Sequence, residues 1–150
     1  MTPDGVSTED WKRVQELATR LANATEANDE VLHEASRQEL LGWLRQLHSK
    51  YGELPSILAT EADYVEETAE RLALLTRAYE LAEPRADSRN LMLIASSIAQ
   101  IYIEELGNYT QGKYWIAVFG RRLAQYPDEF EQTEFNRLNE LLRSKASGSS

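Results

Sequence analysis

Apolar residues recur at spacings of three and four along nearly the whole chain, and the breaks in that pattern carry glycine or proline. A period near 3.6 residues places one face of an α-helix against a core, whereas a strand needs a period of two. Nowhere do apolar residues alternate between turn signals, so the pattern predicts an all-α fold. The first helix is expected over about 8–27, with Trp11, Val14, Leu17 and Leu21 on one face, capped by Ser7 or Thr8. A second opens at Asn28 or Asp29, carries Val31, Leu32, Leu40, Leu41, Trp43, Leu44 and Leu47, and stops at Tyr51-Gly52. Leu54-Pro55 restarts the chain, and one face then continues from Leu58 to about Glu83, with a turn inside it expected at Ala62-Asp63-Tyr64. After a polar connector at Pro84–Asn90 comes an apolar helix with Leu91, Ile94, Ile98, Ile101 and Leu106. Leu106-Gly107-Asn108-Tyr109 reads as a tight helix–helix turn, Thr110–Tyr126 as the next helix, and Pro127 as its stop. Asp128 caps a last helix holding Phe130, Phe135, Leu138, Leu141 and Leu142. The expectation is six or seven helices in one domain over 1–144, ~60–75% helical, with a disordered tail at 145–150.

The composition narrows the chemistry. With no cysteine in 150 residues, disulfides, thiolate metal sites and thiol nucleophiles are excluded. The opening residues lack an apolar signal core, and no apolar run is long enough to span a bilayer, so a cytoplasmic protein is expected. Sixteen Lys and Arg against 25 Asp and Glu leave a net charge of −9. Gripping nucleic acid requires an excess of cations to neutralise phosphates, which argues against that partner.

Short loops between successive helices imply antiparallel hairpins, and stacked hairpins make an α-solenoid. Ile98, Ala99, Tyr102, Gly107, Tyr109 and Gly112 follow the tetratricopeptide pattern with one residue too many between Tyr102 and Gly107 and with Gly112 where alanine is usual. Ala62-Asp63-Tyr64 echoes Gly107-Asn108-Tyr109 at a distance of 45 residues, and Arg71–Glu83 looks like a second helix of such a repeat. Residues 55–127 thus resemble a degenerate tetratricopeptide-like array.

Catalytic and metal motifs are missing. Glu30-x-x-His33 has di-iron spacing, but its partner motif fails because Arg45 stands three residues before His48. No glycine-rich phosphate loop, nucleophile elbow or His-Glu-x-x-His occurs. No catalytic residue, metal ligand or cofactor is assigned, and an enzyme is not expected.

Charge is distributed unevenly. Residues 1–75 hold 15 acids and seven bases, a balance of −8, whereas residues 76–150 hold 10 and nine, a balance of −1. Asp63, Glu66, Glu67 and Glu70 are spaced to share one helical flank, with Glu61 nearby. Such a run is explained either by solvation and a favourable helix start or by an acidic surface complementary to a basic partner. Tyr114 and Trp115 are adjacent on a helix and point about 100° apart, so one must lie at a boundary. Tyr64 and Trp115 join the five acids as candidate protein-binding residues.

The segment Tyr51–Tyr64 and the hairpin over Leu91–Asp128 are similar to small helical bacterial immunity proteins that accompany polymorphic toxins. That resemblance implies a non-catalytic module that binds and neutralises a cognate toxin domain with a basic surface. A tetratricopeptide-like adaptor or chaperone holding a peptide in a concave groove stays open, as does a small-ligand sensor or an enzyme.

Overall fold

Among the described residues, seven α-helices follow one another through short connections: α1 (Thr8–Glu26), α2 (Glu30–Tyr51), α3 (Pro55–Tyr64), α4 (Thr68–Ala82), α5 (Ser88–Gln100), α6 (Tyr109–Gln125) and α7 (Glu129–Gly148). The computed structural model describes the backbone of residues 1–148 and the side chains of residues 1–145. It is 83% helical, above the range expected, and the described residues contain no strand. The fold is all-α, as the apolar period requires.

Side-chain caps start most of these helices at the polar residues suited to them. Ser7, Asp29, Asp87, Asn108 and Asp128 each accept the backbone N–H of the third residue of their helix. Hairpins α1–α2, α3–α4 and α5–α6 form by sequential packing, α4 then packs on α5 and α6 on α7, and the result is a short solenoid-like stack. Two apolar clusters fill it. Val6, Val14, Leu17, Leu40, Leu44, Leu47, Leu54 and Ile57 form an N-terminal core, and a larger one runs from Leu58 to Leu142. Helix α3 joins them, because Ile57 faces the first and Leu58 and Ala62 the second.

Several expectations are corrected. The turn inside 55–83 exists, but Ala62-Asp63-Tyr64 is the last turn of α3, and the break lies at Val65–Glu67, where Val65 and Glu67 are extended. Apolar positions continue in phase across the reversal, so their period cannot locate it. Val31, Leu32, Leu106 and Phe130, all assigned to core faces, are exposed. α7 runs to Gly148, and Ser149 and Ser150 of the expected tail lie outside the described residues.

The end of α5 explains the irregular repeat spacing. Ile101–Glu105 forms a π-helical turn, with Leu106 N–H donating to Ile101 O at 3.0 Å and Asn108 N–H to Tyr102 O at 2.8 Å. A π turn holds one residue more than an α turn. The extra residue between Tyr102 and Gly107 is accommodated there. Gly107 follows at φ +60°, a conformation that a β-branched residue strongly resists.

Candidate functional site

The acids singled out by the sequence gather at the α3–α4 junction, held from both sides. Arg37 of α2 donates through Nη1 to the carbonyl of Tyr64 at 3.0 Å, binds Glu34 at 2.8 Å and lies 3.8 Å from Glu66. Glu34 holds the Arg37 guanidinium above its ordinary pKa, and hydrogen bonds from Arg37 and then Gln38 bring Glu34 down to about 2. Across the junction, Glu105 accepts from Arg71 at 2.9 Å and from Thr68 at 3.2 Å, tying the first turn of α4 to the π turn. Tyr64 lies 27 residues from Arg37 and Arg71 34 residues from Glu105, and no local sequence signal marks these two contacts.

The four-residue acidic flank does not exist as one helical face. Asp63 closes α3, Glu66 and Glu67 lie in the extended break, and Glu70 is in the first turn of α4. They still cluster, and acids at the start of α4 complement its positive end. Glu67 and Glu70 are exposed and face no cation within 4.0 Å among the described residues. Asp63 is exposed on one side but borders a groove between α3 and α5 with Thr60, Asn90, Leu93 and Ser97. Burial against that groove pushes its carboxyl above the usual range, and the charge of Arg71 only partly offsets the shift. Burial, then the charge of Asp63, raises the Tyr64 hydroxyl as well.

Three candidates are covered to different degrees. Glu61 is buried at 8% exposure, so it is not a rim charge. Tyr64 is half-buried and packs on the N-terminal core. Trp115 is 9% exposed; it meets Tyr79 edge-on at 5.1 Å, about three turns along α4 from Thr68. Its neighbour Tyr114, at 61% exposure, is the boundary aromatic of the pair.

Ion pairing leaves the charge of the first half largely uncompensated. Among the described residues, nine of its 15 carboxylates face no cation within 4.0 Å, whereas only Lys12 and Arg45 of its seven cations lack a carboxylate. Groups of three or more His, Asp or Glu able to hold a metal do not occur among the described residues, and no described helix is long and apolar enough to cross a membrane. Compared with protein-family models, curated proteins and solved structures, the sequence finds no significant match.

Proposed function

We propose that this chain is a non-catalytic bacterial immunity protein that binds a cognate toxin domain, its acidic α3–α4 junction meeting a basic surface of that toxin. The supporting observation is the uncompensated field: among the described residues the first half keeps nine carboxylates without a cation partner, and of these Asp63, Glu67 and Glu70 stand at the surface of the braced junction. Surface carboxylates that are neither needed for internal pairing nor screened by neighbouring cations accelerate and orient association with a basic protein. A rigid junction presents them without an ordering cost at the moment of binding.

Asp63 fits the same reading. Its carboxylate is kept where burial opposes its charge, and the fold gains no ion pair from it. Perturbed groups of this kind concentrate at functional sites.

The experiment is a protection and association assay with a toxin domain sought among the products of genes neighbouring this chain's. Reversing Glu66, Glu67 and Glu70 to lysine slows association markedly at low salt and much less at high salt, because screening shortens the reach of exposed charges. Equal protection with unchanged association kinetics in the triple variant overturns the proposal. A second reading, a peptide adaptor, draws support from the α3–α5 groove, where Thr60, Asp63, Asn90 and Ser97 present polar groups. It prevails if a peptide binds there and no toxin partner does.

A further inference from the structure

The side of α4 that faces away from the α3–α5 groove borders a second groove, of about 550 Å³, whose opposite wall is the π-helical turn. Ala69, Leu72, Ala73 and Thr76, with the Arg77–Glu80 ion pair, line one side, and Tyr102 and Leu106 the other. Leu106 is 48% exposed, an unusual position for a leucine that continues the most apolar helix of the chain. The π turn accounts for this. Ile101 and Ile103 both enter the core, and Leu106 is left to the groove.

Electrostatics define what the groove accepts. Its lining guanidinium, Arg77, is engaged by Glu53 at 3.0 Å and Glu80 at 3.3 Å, and the nearby Arg71 by Glu105 at 2.9 Å. Glu67 and Glu70, outside the lining at the start of α4 and one turn or less from Ala69 and Ala73, have no cation within 4.0 Å among the described residues. An incoming ammonium or guanidinium thus meets free carboxylates, whereas an incoming carboxylate meets no free cation. The small side chains at positions 69 and 73 leave room for apolar side chains of a helix to lie against α4.

We infer that this groove docks an amphipathic helix of the partner, one whose aliphatic stripe is flanked by lysine or arginine. The inference rests on the protein-binding reading above and adds where the apolar contact area lies and what secondary structure supplies it. Carboxylates set the approach and the groove supplies the buried area that holds the complex.

The test uses three synthetic helical peptides titrated into the isotope-labelled protein by NMR: a leucine–alanine stripe flanked by lysines, the same stripe flanked by glutamates, and a scrambled lysine peptide without a stripe. The lysine-flanked stripe shifts amides of residues 69–77 and 102–106, and the other two peptides do not. Ala73→Gln fills the groove without changing charge and weakens binding by about tenfold or more while leaving its salt dependence intact. Glu67→Lys with Glu70→Lys also weakens it, and that loss fades at high salt. Ala73 is exposed, so circular dichroism and melting of Ala73→Gln match the parent. Equal binding of the scrambled peptide, or of the striped peptide to Ala73→Gln, overturns the groove while leaving the acidic-surface reading standing. Preference for the glutamate-flanked peptide, or binding by none of the three, overturns it as well. Toxin protection by the Glu66, Glu67 and Glu70 triple variant separately decides the functional reading.

Discussion

Asp4 caps a helix that begins more than 50 residues later: its carboxylate accepts the backbone N–H of Ser56 at 2.7 Å and the Ser56 hydroxyl at 2.7 Å. Leu54, at the cap position of α3, has no side-chain oxygen to offer, so the N-terminal segment supplies the missing acceptor. Thr2 completes the arrangement by donating to Asp4 at 2.6 Å while accepting from the N–H of Val6 at 2.8 Å. Both polar residues are buried, and Val6 inserts fully into the N-terminal core.

Asp4→Ala is therefore expected to destabilise the fold by about 2 kcal/mol, combining a lost helix cap with an abandoned buried donor. Asp4→Asn, which keeps one acceptor oxygen, should lose less. Urea unfolding measures both, and an unchanged midpoint in Asp4→Ala would show that the segment merely rests on the surface.

Gly112 lies where the tetratricopeptide pattern has alanine, and the structure supplies a reason for the exchange. A Cβ built on it would stand 2.7 Å from Cγ1 of Ile103, the residue that the π turn drives into the core, and 3.7 Å from Leu142. Alanine favours a helix over glycine by about 1 kcal/mol, while overpacking costs about 1–3 kcal/mol. Ile103 is 3% exposed and its Cγ1 is not a free end, so it cannot yield cheaply. The net expectation for Gly112→Ala is a loss of about 1 kcal/mol. Combined with Ile103→Ala, the loss should be smaller than the sum of the two single effects. Additive melts in that double-mutant cycle would count against the contact.

Asp63→Asn tests the strained carboxylate. Burial raises its folded pKa above the ordinary 3.8, so the charged form costs stability at every pH above the folded value. That cost fades as pH falls through the folded pKa and is gone below the unfolded one. The asparagine variant should thus melt higher than the parent near neutral pH, with the gap closing as the solution approaches about pH 4. A lower melting temperature at neutral pH would mean that the carboxylate makes a stabilising contact instead.

Sequence alone determined the helical class and most of the helix ends. Those depend on interactions within a few residues: the apolar period, capping side chains such as Ser7, Asp29 and Asp128, and the glycine turn at Gly107. The charge asymmetry was equally legible, because it is a count along the chain. Which carboxylates remain uncompensated was decided by tertiary structure, since Arg37 and Arg71 reach Glu66 and Glu105 only after distant helices pack. The same holds for the reversal at Val65–Glu67, which preserves the apolar phase and leaves no local trace. Burial divided Tyr114 from Trp115 and removed Glu61 from the rim, because a helix of known period still does not specify which neighbour covers which face. The π turn is the sharpest case. One surplus residue was visible as a spacing error, but its placement depended on Ile103 finding room over Gly112, a contact that exists only once α5 and α6 are packed.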